Sequence, residues 1–441
     1  YDGSGLTAAT TAAIDSLSGK GWQVYINGEL VIPNILDLEP AAAYSLRSFD
    51  ADADPNVVNV RRSSDGATSD FTASQVSDGT LTDWVNTDVV QHNSDFTSGV
   101  DGYTIDSYGT IVSENSYEGQ SNVLKYEKPA SGRFGFKRAA TSLNREDAYE
   151  ITFDYYADPA FNNQFWGIES SFANSLSIAS TNPSVVSGAW TSVTLNVPAG
   201  RASGVSSLFL RIQATANDLY GTLSAGSVRL KNVVVTQTLS NGHVTTWYDQ
   251  SDNGNDSTQS TASAQPKIVD GGTLVTEGGL AALDFQTDTS NLSLDHSDLY
   301  GQSTLDSYYV TSITDIAYIY PSCLTSPNHY GMVADLGIGD TNISNLYGSP
   351  SFYANGSQIT GTTRGDIHTA TSGGQKLVTH VNADTTGSGW ETGNMNFGNY
   401  AYNPYFQYVG KLQEMIFFNT DQSANRTGIE NNINDHFDIY S

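Results

Sequence analysis

The segment TTWYDQSDNGNDSTQ, residues 245–259, holds the densest set of side chains that could do chemistry. Asp249, Ser251 and Asn253 alternate ahead of Gly254, the D-x-S-x-N-G opening of an EF-type calcium loop. The twelfth loop position falls on Ser260, which cannot supply the bidentate carboxylate, so the match is half a motif. Calcium is therefore the one cofactor the pattern offers. The second reading is a structural latch. Trp247 and Tyr248 pin the strand into a core, while Asp249 and Asn253 bond backbone amides around a turn.

Other acids and histidines offer less. Asp50, Asp52 and Asp54 in DADADPN have oxygen-donor spacing, but Pro55 stands where a metal loop wants glycine, so a solvated acidic loop is expected. His92, His243, His296, His329, His368, His380 and His436 show no zinc spacing. Retaining glycoside hydrolysis needs two carboxyls about 5–5.5 Å apart, one of them held protonated. Glu150 with Asp154, Asp295 with Asp298, and Glu391 beside Trp390 are available, yet each reads as a solvated loop or strand-edge acid. No catalytic residue is assigned. Sugar faces stack on flat rings, and GNMNFGNYAYNPYFQY interleaves rings with amides just after Trp390. Trp390, Asn396, Phe397, Tyr400, Tyr402 and Tyr405 are the candidate sugar contacts.

The elements that must position these residues are strands. The 441 residues are too many for one ordinary domain, and 38% hydrophobic content with 25 Tyr supplies several cores. Lys and Arg number 19 against 47 Asp and Glu, a net charge of -28 that repels nucleic acid and anionic membrane surfaces. Nothing in the sequence is apolar for long enough to insert in a membrane. The single cysteine, Cys323, cannot form an internal disulfide and reads as a small buried hydrophobe.

Residues 1–31 read as a small helix-strand element, with a helix over 5–19 and a strand in WQVYING, the end of a preceding module. Residues 94–236 hold seven period-two segments, among them NVLKYEK, YEITFDYYA, WTSVTLNV and SVRLKNVVVT, the number expected of a jelly roll. The flanking segments, 32–93 and 237–441, are expected to close into one sandwich interrupted by that insert. Ile429, Ile433 and Phe437 recur at helical spacing behind Ser423 or Asn425, a closing C-terminal helix.

The pieces AAAYSLRSF, NVRRSSDGATSDF, HVTTWYDQSDNGNDSTQ, QPKIVDGG and AALDF resemble the concanavalin-like module related to the catalytic domain of α-L-arabinofuranosidase B, a module of phage virion and tail-fibre proteins and bacterial surface proteins. The inserted segment is similar to carbohydrate-binding jelly rolls. The resemblance implies an all-β fold with a lectin-type sandwich, and a virion or extracellular-surface location. It also implies glycans or neighbouring virion subunits as partners, in a homo-oligomer, for a fibre a trimer. The arabinofuranosidases carry an adjacent cysteine pair near the sugar site, which Cys323 alone cannot reproduce. Two functions stand: a non-catalytic virion or surface adhesin, and a secreted glycoside hydrolase of the arabinofuranosidase type acting on plant or algal polysaccharide.

Overall fold

A computed structural model describes residues 25–26, 29–30, 34–50, 52–105, 109–128, 135–139, 147–158, 164–170, 177–181, 188–198, 208–214, 226–285, 290–295, 299, 301–313, 322–324, 348–360, 364–386, 394–398 and 408–441. The expected helix over 5–19 lies outside them, and the WQVYING strand is described only as the short hairpin Tyr25–Ile26 with Glu29–Leu30. The chain is all-β and divides into two compact units. The first comprises the described parts of Tyr1–Arg61, Thr68–Thr82 and Gly242–Ser441; the second comprises Arg62–Ala67 and Asp83–Asn241.

The first unit opens with β1 (Ala42–Ser45), β2 (Asn56–Arg62) and β3 (Thr68–Thr72), followed by the one-turn helix α1 (Ala73–Ser77). A capping box starts α1. The Thr72 hydroxyl accepts from Gln75 N at 3.3 Å, and the Gln75 side chain accepts from Thr72 N at 3.1 Å.

The second unit is a sandwich of a five-stranded and a six-stranded antiparallel sheet. The six-stranded sheet contains β4 (Val89–Ser94), β5 (Thr110–Tyr117), β6 (Gln120–Lys128), β7 (Ala148–Ala157), β8 (Thr191–Val197) and β9 (Gly226–Leu239). Alternation sends Leu124, Tyr126, Ile151, Phe153, Tyr155, Val193, Leu195, Val228 and Leu230 into one core. The insert begins earlier than its patterning suggests. β4, all but its last residue assigned by the patterning to the flanking segment 32–93, hydrogen-bonds along β9 with Val233 opposite Ser94, which places it inside this unit.

The chain then returns to the first unit through β10 (Gly242–Trp247), β11 (Ser257–Thr258), β12 (Lys267–Asp270), β13 (Leu283–Asp284), β14 (Asn291–Asp295), β15 (Leu305–Ile313), β16 (Gly374–Ala383), β17 (Asn394–Gly398) and β18 (Gly410–Phe418). With β1–β3 and shorter strands they form one antiparallel network, of sixteen strands among the described residues. Every residue of β15 is buried, so both its faces are covered. Tyr308 and Val310 face α2 (Arg426–Phe437), whose Ile429, Ile433 and Phe437 share their cluster. Burying three such side chains contributes roughly 1.5–3 kcal/mol each. Tyr309 faces the other way, packing edge-on against Phe417 at 5.8 Å. Asn425 precedes α2 but makes no side-chain cap bond.

Candidate functional site

The loop after β10 is knotted inward. Trp247 is fully buried, its ring 5.6 Å from that of Tyr44 on β1, and the Tyr248 hydroxyl donates to Asp70 Oδ1 at 2.6 Å. Asp249 Oδ1 accepts from Ala43 N at 2.8 Å and Ser251 N at 3.0 Å, while Oδ2 accepts from the Ser251 hydroxyl at 2.7 Å and Asn255 N at 3.0 Å. The Asn253 amide donates to the carbonyls of Pro40 at 3.0 Å and Ala41 at 3.2 Å. Gly254 takes a left-handed φ of 74°, which a Cβ would strain. The loop therefore ties residues 249–255 to β1 and its approach.

The same bonds answer the calcium question. An ion needs carboxylate and carbonyl lone pairs pointing at it, but N–H and O–H donors already hold both oxygens of Asp249. Ser251 and Asn253 face those neighbours as donors. Asp249, Ser251 and Asn253 do not fit a calcium site. No grouping of three His, Cys, Asp or Glu suited to a metal occurs among the described residues. Asp50 and Asp54 are likewise engaged: Asp50 Oδ1 accepts from Asp52 N at 2.9 Å in a local turn, and Asp54 accepts from the backbone and hydroxyl of Ser74 on α1, bonds that hold its carboxyl below the ordinary value.

The expected sugar contacts are not brought together. Trp390, Tyr400, Tyr402 and Tyr405 lie outside the described residues, and Asn396 is described in backbone only. Phe397 is a correction: it is fully buried, stacked on Phe417 at 6.3 Å and edge-on to Tyr44 at 5.4 Å. It sits on the inward side of β17, where a glycan cannot reach it. The candidate acids are also dispersed. Asp154 on β7 accepts from the Ser192 hydroxyl at 2.5 Å and the Asn232 amide at 2.8 Å. Asp298 and Glu391 are outside the described residues.

A different ring cluster forms on the second unit, on the face of the six-stranded sheet turned away from its core. Arg229 of β9 lies with its Cζ 3.3 Å from the ring centroid of Tyr117, at the end of β5. Its Nε donates to Glu114 Oε2 at 2.8 Å, and its Nη1 donates to the Ser227 hydroxyl at 2.9 Å and approaches Asp158 Oδ1 at 3.5 Å. Lys125 on β6 stands 3.6 Å from Glu114. The Tyr117 ring meets that of Tyr156 edge-on at 5.0 Å, and Tyr156 meets Trp190 at 5.7 Å. A bond with Tyr117, followed by burial, raises the Tyr156 hydroxyl above its ordinary value. Trp190 Nε1 finds no acceptor among the described residues. Arg229 and Tyr156 are themselves buried, so they hold the half-buried rings of Tyr117 and Trp190 in place, and it is those two rings that offer stacking. Sequence reading missed this set because its members are spread over residues 114–229 and meet only through the order of β5, β6, β9 and β7.

The first unit holds a cavity of about 420 Å³ between the loop after β1, α1, the 274–281 hairpin and the end of α2. Arg47, Asp50, Ser77, Leu280, His436 and Phe437 are among its lining. Arg47 forks onto buried Glu414 through Nε at 2.7 Å and Nη2 at 3.0 Å, and reaches Asn432 at 2.9 Å. Burial, reinforced by the nearby Arg47 charge, pushes His436 below its ordinary value, so it is neutral at pH 7.

The acids most inclined to stay protonated are elsewhere. Burial raises Asp284 and Asp306 to about 6. Asp306 is fully buried and accepts from Asn382 N at 2.6 Å and Gln422 N at 2.7 Å; Asp284, 4% exposed, stands in register between Lys267 and Lys411. Neither lines the cavity.

No family model matches the chain, and no curated protein does. Solved structures that match include the CBM22-1 and CBM22-2 xylan-binding domains of Paenibacillus barcinonensis Xyn10C. They are 14% and 18% identical, each covering 34% of this chain and 95% and 99% of their own, with TM-scores of 0.28 and 0.27. A cyclase from Fischerella sp. TAU matches too, at 14% identity over 34% of this chain and 98% of its own, TM-score 0.25. Similarity this slight, to xylan-binding domains and a cyclase alike, assigns neither ligand nor activity.

Proposed function

We propose that this chain is a non-catalytic, glycan-contacting protein of a virion appendage or cell surface, gripping polysaccharide without cutting it. The observation that carries the reading is the cluster of Tyr117, Tyr156, Trp190 and Arg229 on the six-stranded sheet of the second unit, in which half-buried Tyr117 and Trp190 are held in place by buried Tyr156 and Arg229. A surface of this kind recognises sugar rings by stacking and hydroxyl bonding, with no acid or nucleophile required. The sequence resemblance to phage and surface modules supports the location, and the fibre reading brings with it a trimer. The net charge of -28 favours neutral over polyanionic glycans.

The test is a glycan array together with hydrolysis of aryl α-L-arabinofuranoside and mixed polysaccharides. Binding without release of product is expected, and Trp190→Ala should weaken it at least tenfold while leaving the melting temperature within a few degrees. Turnover abolished by one Asp or Glu substitution would establish the hydrolase instead. Light scattering of the intact protein checks the trimer: a monomer would remove the fibre assignment and leave the glycan contact standing.

A further inference from the structure

We infer that the cavity of the first unit is a second binding site, for a single neutral sugar residue or comparable uncharged polyol. The inference takes its ligand class from the glycan-contact reading and its location from independent observations. The volume, about 420 Å³, lies at the lower end of the range for small-molecule sites.

The lining combines both hydrogen-bonding polarities with an apolar wall. Arg47 spends Nε and Nη2 on Glu414 and Asn432, but its Nη1 meets no acceptor among the described residues. Asp50 spends Oδ1 on Asp52 N, whereas its Oδ2 receives no donor among the described residues. Leu46, Val76, Leu280 and Phe437 supply the apolar part. A hydroxyl both donates and accepts, so vicinal hydroxyls match a spare N–H pair and a spare carboxylate oxygen, while C–H faces match the leucines and Phe437.

Charge then excludes the anionic alternative. Glu414, 1% exposed, neutralises Arg47 bidentately, His436 is uncharged at pH 7, and Asp50 and Asp54 at the lining repel a carboxylate or phosphate. The fork holds the guanidinium still, so binding costs little rotamer entropy there.

The experiment titrates the full chain with methyl α-D-glucopyranoside, methyl β-D-galactopyranoside, methyl α-L-arabinofuranoside and sodium glucuronate, read by saturation-transfer NMR. At least one neutral glycoside should bind, with glucuronate at least tenfold weaker. Ser77→Trp fills the cavity from an exposed position of α1 and should weaken the neutral glycoside at least tenfold with the melting temperature unchanged. Asp50→Asn keeps the Oδ1 bond to Asp52 N but turns the free acceptor into a donor, and should weaken it severalfold. Trp190→Ala should leave this binding intact. Neutral glycosides indifferent to Ser77→Trp, no glycoside bound at all, or glucuronate bound as tightly would each overturn the inference. Polysaccharide binding lost in Trp190→Ala and untouched by Ser77→Trp would sustain the proposed function while removing the cavity from it.

Discussion

Asp249 is an acceptor hub of the loop after β10. Four donors converge on its two oxygens, three of them backbone N–H groups from Ala43, Ser251 and Asn255. Removing the carboxylate strands those donors where water has limited access, and hydrogen bonds to a charged acceptor are worth about 1.5–3 kcal/mol each. Asp249→Ala is therefore expected to lower unfolding stability by roughly 3–5 kcal/mol in denaturant titration, the donors partly relaxing to solvent. Asp249→Asn keeps one acceptor oxygen and aims an amide at the other donors, so it should lie between. Chelator should leave the wild-type melting temperature unchanged; a drop of several degrees with EDTA, restored by calcium, would return an ion to this loop.

At the scale of elements, α1 shows how a short helix acquires a function it could not hold alone. Five residues are too few to be helical on intrinsic propensity, so the Thr72–Gln75 capping box and the packing of buried Val76 sustain it. Thr72→Ala should cost about 1 kcal/mol of stability. Because α1 contributes Ala73, Ser74, Val76 and Ser77 to the cavity, the same change should weaken glycoside binding severalfold, measured in the same titration. Unchanged binding with the cap removed would show that the cavity wall stands without it.

The strands themselves were legible, since period-two burial appears in the letters of YEITFDYYA and WTSVTLNV and in the structure alike. The helical spacing of Ile429, Ile433 and Phe437 likewise survives as the buried face of α2. Phe397 was misread because alternating rings and amides look the same whether the rings face solvent or core; only the pairing of β17 with β14 and its stacking on Phe417 separates the two. Arg229 over Tyr117 was illegible for a different reason: 112 positions of sequence separate them, and sheet order alone makes them neighbours.

For the molecule as a whole, acid is the condition that should reveal how its charges were buried. Burial lowers His243 and His92 to about 4, and fully buried His380 to about 3, ringed by Tyr309 at 5.5 Å and Phe352 at 4.8 Å. An unfolded histidine titrates near 6.5, so below that pH the unfolded state binds protons the folded state refuses, and stability falls as pH drops. Asp284 and Asp306 act oppositely. Their folded values near 6 exceed the unfolded value, so they bind protons first in the folded state and add stability as pH falls from about 6 to about 4. Loss of carboxylate charge from a chain at -28 also relieves self-repulsion on acidification. A single wild-type curve therefore mixes opposing slopes, and the informative quantity is a difference. His380→Phe preserves the aromatic contacts and deletes one refused proton, leaving the aspartates and the net charge at neutral pH as they were. Its stability relative to wild type should rise by about 1.4 kcal/mol for each pH unit below 6.5 down to pH 4, followed by urea unfolding at half-unit intervals. Parallel curves for the two proteins would mean that His380 takes up its proton without unfolding the first unit, and that the burial seen around it does not oppose the charge.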